Sequence, residues 1–470
     1  MFTRIINKLL GSLWFPNSFR ILTLFAFVGL MIIGFSSPTK DPVFVSQLSK
    51  TNLTSSFVWR LWWPLIVILA IFLGRIWCMI CPVEMVTSFF ARIGLKLKRP
   101  WWLRSGWVIT VFYMLVLTLG ITVIEIDRNP AYTSYYLIFI MGVAIISGLV
   151  FEKNTFCRYI CPIGFLLSIF SRLAGWGWRV KKESVCASCK DKSCIDKKYS
   201  YQLNYKSCGV ELYPPRIEDN SDCLLCGGCL KTCKSYKSEN HQERPNPAFV
   251  KTGFSYESLL SRPLRMAEWV FLFLLTGSMF FELNHFRIIS GMAASLWPGE
   301  TTLSSGLEDG FLKELAGLGY LYLLLPSILW FLPYLLTRIS GYRLSLSTYL
   351  KKFSLVFLPV IAAFFVAVAL MEIVTKFPYY TYILHDIRGV ETIKAMLFRQ
   401  IEMPVMPAWT ESAFSLLLVL ALVIGMIISL RVTRKLIPHM DVRKGALGII
   451  ILPVVYTLVL VGGAILYGIY

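Results

Sequence analysis

The stretch SDCLLCGGCLKTCKSY, residues Ser221–Tyr236, sets Cys223, Cys226, Cys229 and Cys233 at C-x2-C-x2-C-x3-C spacing, yet it lies in a chain that is 56% hydrophobic. Thiols so closely spaced need a tight, polar loop. The surrounding 470 residues are 15% aromatic and only 16% charged, with a mean hydropathy of +0.63, a composition that excludes a soluble globule. The expected fold class is therefore a polytopic α-helical membrane protein with a polar domain inserted between its spans.

Crossing a hydrocarbon core of ~30 Å takes about 20 apolar residues. About nine such runs are expected, centred near Phe27, Val67, Leu115, Met141, Phe273, Leu323, Ala363, Val419 and Val455. Basic residues orient them: Arg4, Lys8 and Arg20 precede the first run, Arg92, Lys96, Lys98, Arg99 and Arg104 fill one loop, and Arg338, Arg343, Lys351 and Lys352 another. Those segments are expected on the cytoplasmic side of a prokaryotic cytoplasmic membrane, together with the N-terminus, which reads as a retained signal anchor. The formal charge of +20 then serves topology and lipid contact; no basic helix or binding motif points to nucleic acid.

The expected domains are a four-span membrane region over 1–178, a polar cytoplasmic domain over 179–266, and a five-span membrane region over 267–470. Between the first two, CPIGFLLSIFSRLAGWGWRV carries Arg172, Arg179, Trp176 and Trp178 along an apolar run and is expected to form an interfacial helix.

All 12 cysteines lie between Cys78 and Cys233. On a cytoplasmic face disulfides are disfavoured, so clustered thiols read as metal ligands. The downstream run matches that of bacterial two-cluster ferredoxins, in which three thiolates grip one cubane and the fourth ligates the other. Gly227 and Gly228 suit a loop that wraps a cluster closely. An earlier set, Cys186, Cys189, Cys194 and Cys208, departs from the pattern by wider gaps. Two crossed 4Fe-4S clusters are expected, one on Cys186, Cys189, Cys194 and Cys233, the other on Cys223, Cys226, Cys229 and Cys208. Structural zinc is the competing reading.

Two further pairs follow apolar runs: GRIWCMICPVEM with Cys78 and Cys81, and CRYICPIGF with Cys157 and Cys161. Each carries an arginine beside the thiols, Arg75 or Arg158, and each closes on Cys-Pro, which reads as an internal repeat. Proline there suits the first turn of a new helix. The neighbouring guanidinium groups are expected to lower the thiol pKa values, favouring a shared metal or iron–sulfur site at the membrane edge. A redox disulfide, or four inert buried cysteines, are the alternatives.

Together these motifs resemble the membrane-bound polyferredoxin family, with its NosR-, NapH- and CcoG-type members, over roughly Trp59 to Phe249. The resemblance implies two cytoplasmic 4Fe-4S clusters and electron movement between the quinone pool, or a cytoplasmic donor, and a metalloenzyme beyond the membrane. Quinone and redox partner proteins on one or both faces are expected with it. The chain departs from the family in the x2 gap of its first motif, in lacking a flavin domain ahead of that motif and a soluble domain at its end, and in its several later spans.

Four histidines, His241, His285, His385 and His439, do not pair mid-span as a dihaem bundle requires. Glu268, Glu282 and Glu372 fall near expected span ends, where snorkelling accounts for them more simply than quinol chemistry. The expected function is membrane electron transfer. A copper reductase or maturation factor for a respiratory enzyme, and a transporter with a regulatory metal domain, are the alternatives.

Overall fold

Apolar sequence in a membrane must close its backbone hydrogen bonds within itself, and these runs do so as helices. The computed structural model describes all residues except 1, 13, 38–40, 203–205, 234–235, 238–242, 290–309, 340–344, 408, 438–452 and 463–470. Among the described residues six helices are long and apolar enough to cross a membrane: Leu53–Leu73, Pro130–Val150, Met266–Leu283, Leu315–Leu335, Leu346–His385 and Ser412–Leu436. They contain six of the expected centres. The other three, Phe27, Leu115 and Val455, lie in shorter apolar helices, Asn17–Ile33, Trp107–Ile121 and Pro453–Gly462. At ~1.5 Å per residue even the longest of these falls a little short of a ~30 Å core. His241 and His439 lie outside the described residues.

The chain divides into two compact units. The first comprises Met1–Tyr113, Leu119–Ser261 and Lys376–Pro404; the second comprises Met114–Thr118, Arg262–Thr375 and Val405–Tyr470. The first unit holds every cysteine. In it the polar insert and the helices before it share one core.

The expected interfacial helix over 161–180 is corrected here. Its helical part is Pro162–Phe170, extended by a 3-10 turn at Ser171–Leu173, and every residue from Gly164 to Phe170 is buried. With apolar side chains all round, this helix has no polar face to offer water and belongs in a core. Trp176–Val180 is a strand, and it straddles the expected domain boundary. It pairs antiparallel with Pro247–Lys251, Trp176 opposite Lys251 and Val180 opposite Pro247, which brings the two ends of the insert together. Asn220 secures the first strand from beneath: its Nδ2 donates to the Ala174 and Trp176 carbonyls and its Oδ1 accepts from Arg179.

The N-terminal helix Phe2–Gly11 docks on the other strand. Asn7 donates to the Phe249 carbonyl and accepts from the Phe249 N–H, both at 2.8 Å, so that one side-chain amide continues the ladder. Phe2 meets Trp176 edge-on at 5.0 Å. Beneath them Leu10, Met79, Trp178, Leu225, Leu230 and Phe249 form one apolar cluster that joins the N-terminal helix to two cysteine-bearing loops.

Helix Pro82–Ile93 crosses the span Pro130–Val150 through small residues. A Cβ at Gly148 would sit 2.8 Å from the Thr87 carbonyl oxygen and 3.1 Å from the Phe90 Cβ. The following loop then pairs with the end of the span, Leu95 N–H to Leu149 and Leu97 N–H to Val150.

In the second unit, Trp330 donates to Thr276 Oγ1 at 3.2 Å, and Thr276 also bonds the Tyr456 hydroxyl at 3.1 Å. Glu268, expected as a snorkelling acid, is instead buried in the first turn of its helix and paired with Arg262 at 2.8 Å and Arg265 at 3.0 Å. A carboxylate there also complements the helix dipole.

Replacing Gly148 by Val should force the crossing apart at a cost of about 1–3 kcal/mol. The measurement is the thermal unfolding midpoint in detergent, which should fall by several degrees; a midpoint equal to wild type would contradict the close crossing.

Candidate metal centres

The two Cys-Pro motifs fold alike. After the span Leu53–Leu73 come Gly74, at φ +75°, a short helix Ile76–Ile80, an extended Cys81 and a new helix starting at Pro82. After Pro130–Val150 come a short helix Thr155–Tyr159, an extended Cys161 and a new helix starting at Pro162. Proline opens both helices where its missing N–H is no loss. Cys161 acts as N-cap, its Sγ accepting from the Gly164 N–H at 3.2 Å. The extra residue of the second motif, Ile160, is taken up outside the helix, so the unequal spacings do not keep the motifs apart. Cys78, Cys81, Cys157 and Cys161 line one cavity of about 60 Å³, shared with apolar side chains such as Phe27, Trp62, Phe156 and Leu224.

Helix Asn17–Ile33 fixes the first motif. Arg20 Nε donates to the Met79 carbonyl at 2.8 Å and Thr23 donates to the Ile80 carbonyl at 2.9 Å. Arg20 also pairs at 2.5 Å with Glu84, the third residue after Cys81. Glu84 is buried and meets Lys206 at 2.9 Å, Ser88 at 2.9 Å, and the amide of Asn154. Although burial works the other way, Arg20 and then Lys206 hold this carboxyl well below the usual range.

The arginines act differently from expectation. Arg75 is buried at the cavity wall; its Nη1 donates to the Ser221 carbonyl at 3.0 Å, while Nε and Nη2 are left without an oxygen or nitrogen acceptor. Burial opposes its charge, but Cys78, then Asp222 and Cys161, outweigh this and raise its pKa. Arg158 turns away to donate to the Val210 carbonyl and to pair with Asp222 at 3.6 Å.

The expected lowering of the thiol pKa values is overturned at Cys81, Cys157 and Cys161. Burial pushes Cys81 up to about 12, Cys161 up to about 11 and Cys157 well above its ordinary value; Arg75 lowers Cys161 by less than burial raises it. Without a bound metal these are neutral thiols, and binding must displace their protons. A buried guanidinium beside them, already hydrogen-bonded to Cys78, suits an anionic occupant, as a thiolate-ligated iron–sulfur cluster is.

In the insert, Cys208, Cys223, Cys226 and Cys229 line a second cavity, of about 20 Å³, with Trp178, Leu224 and Leu225. Leu225 at φ +53° and Gly227 at φ +71° curl its loop inward. A Cβ on Gly227 would meet Leu10 Cδ2 at 2.9 Å, so glycine serves both the conformation and the packing. The helix Gly228–Thr232 then delivers Cys233 to a third cavity, of about 270 Å³, lined also by Cys186, Cys189, Cys194, Tyr213 and Asn246. Asn246 donates to Cys186 Sγ at 3.0 Å and Tyr213 donates to the Cys186 carbonyl at 2.9 Å. Burial raises the pKa of Cys194 to about 12 and also raises those of Cys223 and Cys229.

The three cavities adjoin. Leu224 lines both the first and the second, and the Cys208 N–H bonds the Cys194 carbonyl at 2.8 Å between the second and the third. The thiols surround each space instead of meeting at a point: among the described residues no three His, Cys, Asp or Glu side chains converge closely enough for a single metal ion. Sequence reading passed over Glu84, whose only signal is an acid set in the apolar turn after Cys-Pro. It also passed over Lys206 and Asn154, which meet Glu84, and Asn246, which meets Cys186 Sγ, because these contacts arise only through the fold.

Comparison with known proteins adds the chemistry. Residues 55–100 and 133–185, each holding one Cys-Pro pair, match the family model of a 4Fe-4S binding domain. The chain is 22% identical over 242 residues to the uncharacterized protein MJ0749 of Methanocaldococcus jannaschii, covering 49% of this chain and 84% of that one. It is 25% identical over 187 residues to the uncharacterized protein MJ0750 of the same organism, covering 36% and 73% respectively. No solved structure matches. The domain match supports an iron–sulfur protein suited to electron transfer, and the six long apolar helices are consistent with a membrane protein.

Glu84→Gln should leave buried Arg20 and half-buried Lys206 without their shared counter-charge, at a cost of about 3–5 kcal/mol in unfolding free energy. Because the folded-state pKa is depressed, the wild type has this stabilisation in full above the unfolded value of about 4.3 and loses it as pH falls through the folded one. Denaturant unfolding at neutral pH should therefore separate the two proteins and unfolding at strongly acidic pH should not; equal stability at neutral pH would refute the role of Glu84.

Proposed function

We propose that the protein is an integral membrane electron-transfer protein that relays single electrons between the quinone pool or a cytoplasmic donor and a respiratory metalloenzyme. In this reading Cys186, Cys189, Cys194 and Cys233 hold one 4Fe-4S cluster, Cys208, Cys223, Cys226 and Cys229 hold a second, and Cys78, Cys81, Cys157 and Cys161 hold a further iron–sulfur centre. When bound, such clusters supply one-electron chemistry at potentials set by their hydrogen bonds and burial. The insert and the N-terminus face the cytoplasm, as their basic residues favour, and the three shorter apolar helices bring the membrane crossings to nine.

One observation carries the reading: all twelve cysteines fall into three quartets, each around its own cavity, and the cavities adjoin. Four thiols around a space suit a polyatomic cluster, whose irons each take one thiolate, better than a single zinc ion at ~2.3 Å from every sulfur. The further centre draws on the domain match, which falls on the Cys-Pro segments themselves. The chain's own residues supply the rest. Phe27, Trp62, Phe156 and Leu224 keep water from the membrane-edge site, Arg75 offers it positive charge, and Asn246 donates to a sulfur of the outermost quartet.

Anaerobic purification followed by metal and sulfide analysis tests this. Three cubanes would give about 12 iron and about 12 labile sulfide per chain, and Cys78→Ser with Cys157→Ser should leave about 8 of each with the remaining EPR signals intact. Zinc in place of iron would overturn the proposal, and an undiminished iron content in the double variant would remove the membrane-edge centre from it.

A further inference from the structure

The three quartets differ in how they meet the surface. Around Cys223, Cys226 and Cys229 the intervening Leu224, Leu225 and Gly227 are buried, and the membrane-edge cavity is lined by large apolar side chains such as Phe27, Trp62 and Phe156. Around Cys186, Cys189 and Cys194 the chain is open, with Ser184, Ala187, Ser188, Lys190 and Lys192 all exposed. Lys192 belongs to the cavity wall itself, its Nζ 5.8 Å from the Tyr213 ring.

Charge is concentrated on the same rim. From 181 to 198 the chain carries six lysines, Lys181, Lys182, Lys190, Lys192, Lys197 and Lys198, against three carboxylates, Glu183, Asp191 and Asp196, and all nine side chains belong to exposed residues. Other cations near the insert are already partnered: Lys206 with Glu84, Lys231 with the Phe15 carbonyl and Arg179 with the Glu218 carbonyl. An excess of cations around the most accessible quartet favours an anionic partner and speeds its encounter.

We infer that this lysine rim is the docking surface for a small acidic one-electron carrier protein. The inference rests on the electron-transfer reading above and deepens it by placing the soluble partner at the Cys186, Cys189, Cys194 and Cys233 end of the unit. Exchange there makes and breaks no covalent bond: the carrier's reduced cofactor gives up one electron and the protein takes it up. The lysines contribute attraction and orientation.

Binding is the decisive measurement. Detergent-solubilised, iron-loaded protein is titrated with a fluorescently labelled flavodoxin of net negative charge at low and at moderate salt. Wild-type affinity should fall steeply with salt, and Lys190→Glu, Lys192→Glu and Lys197→Glu combined should weaken binding by about ten-fold or more at low salt. Reversal of three exposed cations outside the rim, Lys8→Glu, Lys98→Glu and Arg104→Glu, should change it by less than about two-fold. Full iron content in the rim variant with unchanged flavodoxin affinity overturns the docking surface alone. So does loss of binding to phosphatidylglycerol vesicles in the rim variant with flavodoxin binding intact, which would make the lysines lipid contacts. A wild-type protein that takes up no iron overturns the electron-transfer reading and the docking surface with it.

Discussion

One buried carboxylate orders the cysteine-bearing unit. Glu84 follows the first Cys-Pro pair, and its partners come from three separate segments: Arg20 from the helix that clamps the first motif, Asn154 from the entry to the second, and Lys206 from just ahead of Cys208. Burying this group alone would cost several kcal/mol, so it is stable only with all its partners in place. Segments remote in sequence are thereby brought into one register, because each contributes a polar group that the others cannot replace. The Asn154 N–H adds a bond to the Gly209 carbonyl at 3.2 Å, next to Cys208.

Much of this arrangement was legible in the sequence, and what was legible was local. Regular thiol spacing, Gly227 beside it and proline after Cys81 and Cys161 are short-range signals with one physical meaning each. The positions of the six long helices were equally readable, since apolar length alone sets them. What failed depended on distant neighbours. The run after Cys161 looked interfacial because Arg172 and Arg179 punctuate it, yet Arg172 is buried beside Asp219 and Arg179 reaches Asn220 and the Glu218 carbonyl. The thiols looked activated because arginine adjoins them in sequence. In space, burial dominates Cys81, Cys157 and Cys161, and Arg158 serves a different loop.

The raised thiol pKa values also change how the centres relate to assembly. A thiol that resists ionisation resists stray metal and oxidant, so an empty site of this kind stays chemically quiet until a ligand able to displace its protons arrives. Arg75 complements that restraint with a fixed positive charge at the wall of the first cavity.

The seat of the N-terminal helix on the strand Pro247–Lys251 bears on the order of synthesis. Asn7 leaves the ribosome early, but the backbone it bonds, at Phe249, is made some 240 residues later. Leu225 and Leu230, against which Leu10 packs over the loop around Gly227, are made shortly before Phe249. Closure of that loop therefore waits on the strand Pro247–Lys251, with helix Phe2–Gly11 as the piece that completes it.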